Sequence, residues 1–458
     1  MSGIGGIREP SNLAFRVTVT GRKFPVRVSL PVLAIAAILG GAHTAEAQEG
    51  RPPIPHYTPS LDPVPWADAT VDEQAVATRH RPEYDPVGIR LGSFFFLPSL
   101  GVGESYSDNI YATESNLKND YITTVSPRLL LQSDWGRHEL HARATGDFGL
   151  YKSFTTENYE DYTAETGGRL DVSKDQALTG SLSYAHLHED RSSPDDVGGT
   201  KPTTYERAGL NAKYAQRFNR LGAQVEARGD HLTFNDVPLF GGGTLDSSDR
   251  DRYEAEGAVR VSYNFLPTTA VFTRGSYSRD IYDHTPDDNG FDRDSRGYRI
   301  DTGITIDVTE LLKLEASVGY LNTAFDDPRL KTVSDAAGTL LATWNITRLS
   351  TLKANFQRTV TPTTLDDASA QVDTGGFVSL DHELLRNLIL TARFGYTNTT
   401  FEGISRVDNT ILGAFSARYL LFQGAAITAA YQRDDRSSNT QGASYNRDLV
   451  TLRFTYGF

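Results

Sequence analysis

The sequence predicts an all-β protein: a transmembrane up-and-down antiparallel β-barrel of about 18 strands, with short turns at one end and long loops at the other. Three observations predict it. Apolar and polar residues alternate with a period of two in segments that recur from Phe94 to Phe458. The connections between those segments alternate in length, long then short. The last segment, LVTLRFTYGF (449–458), puts Val450, Leu452, Phe454, Tyr456 and Phe458 on one face of a strand and Thr451, Arg453, Thr455 and Gly457 on the other.

Composition agrees with one large closed sheet. The 458 residues include 40 Gly, 22 Tyr and 22 Phe, but only 38% are hydrophobic. A negative mean hydropathy is expected of a barrel that gives every second position to a polar lumen. Cysteine is absent, which excludes disulfides, thiolate nucleophiles and thiolate metal sites. The 45 Lys and Arg face 58 Asp and Glu, a net charge of −13 that argues against nucleic acid as a partner.

Taken in order, the chain divides into three zones. Residues 1–47 read as a secretory signal: Arg22, Lys23 and Arg27 precede the apolar run VLAIAAIL (32–39), and Ala45-Glu46-Ala47 fits the small-x-small cleavage rule, with a cut before Gln48. The apolar run is too short to span a bilayer as a helix. Residues 48–93 form a proline-rich periplasmic leader. RPPIPHYTPSLDPVPW is expected to be extended and mobile, because proline fixes φ and cannot feed a hydrogen-bond ladder. VDEQAVATRH suits one or two helical turns. A plain leader, a plug and a docking strap for a periplasmic partner all fit this zone.

Residues 94–458 form the barrel. Strands are expected to be centred near 99, 126, 145, 166, 182, 209, 227, 257, 276, 301, 318, 339, 355, 376, 392, 415, 428 and 452. Short connections include SKDQ (173–176), RFNR (217–220), LPTT (266–269) and LFQG (421–424). Long ones include 188–202, 235–251, 283–295 and 433–447. An even strand count with both chain ends at the short-turn end is the arrangement of outer-membrane barrels of Gram-negative bacteria, whose short turns are periplasmic. Lipid then covers the Val450–Phe458 face, and the first and last strands must pair, because an unpaired backbone group in hydrocarbon costs several kcal/mol. Membrane lipid and lipopolysaccharide are the implied surroundings.

Alternation also assigns the lumen, which in a barrel this wide is open to water unless loops fill it. The inward basic residues are Arg128, Arg143, Arg169, Arg207, Lys213, Arg228, Arg260, Arg299, Lys313, Arg393, Arg418 and Arg453. The inward acids are Asp147, Glu165, Asp171, Glu226, Glu254, Glu256, Asp301, Asp307, Glu315 and Asp373. The signs nearly balance, whereas a strongly anion-selective pore should show an excess of Arg and Lys. Two readings stand: pairs between neighbouring strands that hydrate the lumen, or a charged ladder that guides an acidic sugar polymer. The facing of strand nine (271–281) is ambiguous. The long loops are acidic, with Glu189, Asp190, Asp195 and Asp196 in one and Asp236, Asp246, Asp249 and Asp251 in the next. They are expected to form a solvated surface, with divalent ions bridging them to lipopolysaccharide as the alternative.

Enzymatic signals fail, and no cofactor is implied. HTPDDNGFDRDSR (284–296) lacks the carboxylates an EF-hand needs at its first and twelfth positions, where Thr285 and Arg296 stand. HELLR (382–386) places Arg386 where a zinc protease needs a second histidine. Gly241–Gly243 leads to no phosphate-loop lysine, and G-x-S-x-G is absent.

RPEYDPVGIRLGSFFFLPSLGVGESYSDNIY (81–111) resembles the opening of the β-barrel porin type 2 family. TVSPRLLLQSDW (124–135), EDRSSPDD (189–196), DRDSRGYRIDTG (292–303) and LDHELLRNLIL (380–390) extend the resemblance over residues 81–458. Ser107 departs from it, where the family often has an acidic residue. The resemblance implies an outer-membrane channel, associated with synthesis and export of extracellular polysaccharide and with a periplasmic export component. The closing row Phe454, Tyr456 and Phe458 resembles the signal read by the barrel-assembly machinery. General solute diffusion, and a structural or adhesive barrel without transport, are the other expectations.

Overall fold

The computed structural model describes residues 75–308, 311–365 and 367–458. The expected signal sequence (1–47) and residues 48–74 of the expected leader lie outside them. Eighteen long strands follow one another: β1 (Phe94–Ser107), β2 (Asp120–Ser133), β3 (Glu139–Tyr151), β4 (Tyr159–Ser173), β5 (Gln176–His188), β6 (Thr204–Phe218), β7 (Leu221–Phe234), β8 (Arg252–Leu266) and β9 (Thr269–Tyr282). They continue as β10 (Ser295–Val308), β11 (Leu312–Phe325), β12 (Val333–Thr347), β13 (Ser350–Thr361), β14 (Ala370–Leu385), β15 (Leu388–Glu402), β16 (Val407–Phe422), β17 (Ala425–Ser438) and β18 (Tyr445–Gly457). Every expected strand centre falls inside one of them.

Each strand pairs antiparallel with its sequence neighbours, and β1 pairs with β18 from Ser99↔Gly457 to Ser107↔Leu449. The sheet is therefore closed. Closure removes both edges, the only way a sheet can satisfy its backbone in hydrocarbon. With 12 residues in β13 and 16 in β14, the strands exceed the 9–11 residues that a tilted strand needs to cross a bilayer. Ile89–Leu91 folds back on Phe94–Phe96 through Gly92, whose φ of +63° suits a residue without Cβ.

Burial splits the sheet into two faces. Outward positions expose large apolar side chains, among them Val318 (75%), Leu452 (58%) and Phe394 (56%). A water-soluble protein does not carry apolar area of this extent. Phe454, Tyr456 and Phe458 belong to this face at the short-turn end, where Tyr456 and Phe458 meet edge to face at 5.7 Å. The reversals at the short-turn end include Lys174-Asp175, Asn219-Arg220 and Gln423-Gly424. Asn219 (φ +58°) and Gly424 (φ +75°) take the left-handed conformation that such tight turns require.

One expectation about the connections changes. Loop 433–447 is mostly strand: β17 runs to Ser438 and β18 starts at Tyr445, because the polar residues Arg433 and Asp434 still fill ladder positions opposite Asp448 and Arg447. The turn expected within VDEQAVATRH is present over its described residues. Residues 75–88 turn on themselves, with Arg79 N–H donating to Ala75 O and Tyr84 N–H to Arg81 O, and pack against the barrel.

Candidate channel lumen

Cross-strand register places every expected lumen residue on the face opposite the exposed apolar row. Arg128 pairs with Ser99, Arg143 with Glu165, Glu139 with Arg169, Lys213 with Glu226 and Arg418 with Thr428, which itself pairs with Arg453. The same ladder settles strand nine. Arg260 faces Arg274, and Arg274 faces Asp301, so the even positions of β9 point inward. Arg274 and Asp280 are thus lumen residues that the sequence pattern did not assign.

The charges are sorted around the wall. From β6 to β11 they are interlocked. Arg207 and Arg228 both donate to Asp230, at 2.8 and 2.7 Å. Arg274 lies 3.4 Å from Glu226 and 3.1 Å from Glu256, and Lys213 lies 4.0 Å from Glu226. Arg260 grips both oxygens of Glu315, at 2.9 and 2.7 Å, and its guanidinium lies 3.7 Å from the centre of the buried Phe272 ring. Arg299 holds Asp301 with two hydrogen bonds, at 2.6 and 3.0 Å. The pairs in this arc lie within one strand (Arg228–Asp230, Arg299–Asp301), between neighbours (Arg207–Asp230) and across three strands (Arg260–Glu315).

The other arc differs. On the half of the wall nearest the short turns, the inward positions of β15, β16, β17, β18, β1 and β2 carry Arg393, Arg418, Arg453 and Arg128. Among the described residues, no carboxylate side chain stands at any inward position of that stretch of wall. Arg143 and Arg169 continue the row onto β3 and β4, where Asp147, Glu165 and Asp171 join it, Asp147 accepting from Ser126 of β2 at 3.1 Å and Asp171 lying 3.0 Å from Arg169. Glycine makes room for the row. A Cβ on Gly103 would come within 3.3 Å of Arg453 Nε, so the Gly101 and Gly103 positions of β1 let the Arg453 side chain lie along the wall. The near-balance counted along the sequence therefore hides a spatial segregation.

The loop end of the lumen is crossed by residues 189–203. The expectation of a solvated acidic surface fails for this loop: Glu189 is 2% exposed and Arg191 9%. Arg191 clamps Glu157 of the β3–β4 connection at 2.8 and 2.9 Å, and Glu189 accepts from Arg250 at 3.0 and 3.2 Å. Arg447 of β18 reaches Asp190 at 3.4 Å, and Arg436 of β17 donates to Ser192 O at 2.7 Å. Asp195 accepts from Thr363 Oγ1 (2.7 Å), Thr364 N–H (3.0 Å) and Thr364 Oγ1 (3.1 Å). The β5–β6 and β13–β14 connections are nearly opposite on an eighteen-strand ring, so this loop bridges the lumen. Burial raises the Asp196 carboxyl, with Glu189 adding to burial and Arg191 opposing it, to about 6. Burial also works against the charge of Asp190, but Arg447 and Ser192 outweigh it and hold this carboxyl well below the usual range. In the next loop, Asp236 and Asp246 are exposed, as expected, whereas Asp249 and Asp251 are half-buried.

Asp287 of the 283–294 connection accepts Asn289 N–H, Phe291 N–H and Arg293 Nε, so a guanidinium stands where a calcium loop would hold its ion. Arg293 also donates to Thr363 O and Ala368 O, tying this connection to the same far side. Among the described residues, no three His, Asp or Glu side chains are grouped to hold a metal.

The model of a family described as "Putative beta-barrel porin 2" matches residues 81–458. No curated protein matches the chain. Among solved structures, the chain is similar to OpdO of Pseudomonas aeruginosa, with 13% identity, a TM-score of 0.42, and 80% of this chain and 98% of that one covered. It is likewise similar to the outer-membrane protein OpdK of the same organism (14%, 0.42, 79% and 99%) and to its ferric enterobactin receptor PfeA (7%, 0.42, 79% and 80%).

Proposed function

The chain belongs to this porin family, and from that premise we propose that it conducts anionic solutes across the outer membrane of a Gram-negative cell. One observation carries the reading: the row Arg393, Arg418, Arg453 and Arg128 on a stretch of inner wall without inward carboxylates. A row of fixed cations in a confined aqueous lumen lowers the energy of an anion along its length and raises that of a cation. The paired arc opposite contributes hydration with little net field.

A second reading is export of an extracellular polysaccharide, with a periplasmic export component as partner. The spread of arginines over consecutive strands supports it, because an extended row suits a polymer carrying repeated carboxylates better than a point-like ion. In either reading, the outward row Phe454, Tyr456 and Phe458 is the segment offered to the barrel-assembly machinery.

Reversal potential in a planar bilayer under a KCl gradient tests the first reading. Anion preference is expected, and Arg418→Gln with Arg453→Gln should move the potential toward the cation side. Cation preference in the unaltered protein would sink it. Absence of current even without residues 48–88 would favour a structural barrel. Deletion of the gene with assay of secreted polymer tests the second reading, and unchanged release counts against it.

A further inference from the structure

Residues 75–88 lie against the inner wall at the short-turn end. Ala75 and Val76 are fully buried, and Val76 packs with Ile389, Leu420, Ala426 and Tyr84. Ile389, Leu420 and Ala426 occupy inward ladder positions on β15, β16 and β17. Val76 N–H donates to Thr351 Oγ1 of β13 at 2.9 Å, and Thr351 Oγ1 in turn donates to Asn345 Oδ1 at 2.7 Å. The segment thus follows the rim from β13 round to β17.

Its two ends are held differently. The Tyr84–Gly88 end is fixed to backbone: Gly424 N–H donates to Tyr84 O at 2.8 Å, and Gly88 N–H to Phe458 O at 2.8 Å. The Ala75–Glu83 end is held by side chains: Thr351 on Val76, Arg386 on Glu83 at 2.8 Å, and Glu383 at its centre. Glu383 receives Arg81 at 2.7 Å and Arg79 at 3.5 Å. Arg81 is 2% exposed and also ties the segment to itself through Val76 O at 2.9 Å and Arg79 O at 3.1 Å. Removal of Glu383 would strand the buried Arg81 charge in the wall, an unfavourable state that leaving the wall relieves. The end held this way is the end that continues into the proline-rich residues 48–74.

We propose that residues 75–83 are a releasable strap over the periplasmic mouth of the lumen, latched by Arg79 and Arg81 on Glu383 and hinged at Tyr84–Gly88. The strap covers Ile389 and Leu420, directly beside Arg393 and Arg418, so its position sets periplasmic access to the arginine row. This rests on the channel reading above.

The absence of cysteine makes the test clean. In the full mature chain, Ile389→Cys is labelled with a membrane-impermeant maleimide from the periplasmic side, alone and combined with Glu383→Ala or with deletion of residues 75–83. Conductance is recorded for the same proteins. About tenfold faster labelling and a higher conductance are expected for both alterations. Separately, Val76→Cys with Thr351→Cys should hold the low conductance when oxidised and release it on reduction. Unchanged labelling in both Glu383→Ala and the deletion overturns the strap, as does faster labelling in a channel whose conductance already equals that of the deletion. Faster labelling with no current in any protein leaves the strap standing and removes the channel reading.

Discussion

Asp195→Ala asks most directly whether the loop across the lumen sets the conductance. The wild-type carboxylate takes three hydrogen bonds from Thr363 and Thr364, at 2.7, 3.0 and 3.1 Å. A hydrogen bond to a charged group contributes about 1.5–3 kcal/mol, and bonds that share one carboxylate are not additive. A loss of about 3 kcal/mol for the set is a conservative figure, and it raises the undocked fraction of the loop about 150-fold. The near-side ties, Glu189 to Arg250 and Asp190 to Arg447, remain, so the loop should swing on its own base and leave the barrel folded. The assay is single-channel conductance in a planar bilayer, paired with proteinase K cleavage within residues 197–200 in intact vesicles. Both should rise. Asp288→Ala removes the same charge from an exposed position and should do neither. Wild-type conductance and wild-type cleavage in the Asp195 variant would refute the claim that this loop narrows the lumen.

Two further outcomes follow from the same loop and from the turns. The Asp196 carboxyl, raised by burial from 3.8 to about 6, binds its proton more tightly in the docked loop than in the free one. The docked state therefore gains as pH falls through that window and loses about 3 kcal/mol as pH rises through it. Asp190 is shifted the other way and weakens docking only below the ordinary carboxylate range. Conductance should accordingly be lower at pH 5 than at pH 7, and Asp196→Asn should abolish the difference. At the short-turn end, Gly424 has φ +75°, and a Cβ there would stand 1.9 Å from Gly457 O. Gly424→Ala should cost at least about 2 kcal/mol, from left-handed strain plus the clash. It should lower the temperature at which the barrel unfolds on a semi-native gel.

The wall of the barrel was legible in the sequence because each of its decisions is local. A strand facing lipid on one side and water on the other must alternate, and alternation alone separated Arg453 from Phe454 and Arg418 from Tyr419. Strand nine was unreadable because its inward face includes Ala270 and Phe272 while its outward face includes Thr273 and Arg279. Phe272 is inward because a lumen also uses aromatic rings, here as a platform for Arg260. The sorting of charge was hidden for a different reason. A count along the chain cannot show that Arg393, Arg418, Arg453 and Arg128 become neighbours only once β18 closes on β1. The loops misled because the groups that bury them are remote: Asp190 meets Arg447, and Ser192 meets Arg436, from the other end of the sequence. The strap had one readable clue, Arg79 and Arg81 flanking His80 just before the barrel. Its partner Glu383 sits in a strand three hundred residues away.

The two closures lie at opposite ends of one lumen, with the arginine row nearest the strap. A solute meets them in series, so their resistances add and the larger one governs the current. Releasing the smaller resistance alone then changes little, however completely it is released. This orders the single variants: whichever of Asp195→Ala and Glu383→Ala gives the larger rise marks the narrower end. It also fixes the double variant. For resistances in series, Asp195→Ala with Glu383→Ala must raise conductance by more than the sum of the two single increments, because each release then acts on what was limiting the other. Two closures acting on separate parallel paths would instead give increments that add. Conductances that simply add would break the single-path picture, even if each closure on its own proved to be mobile.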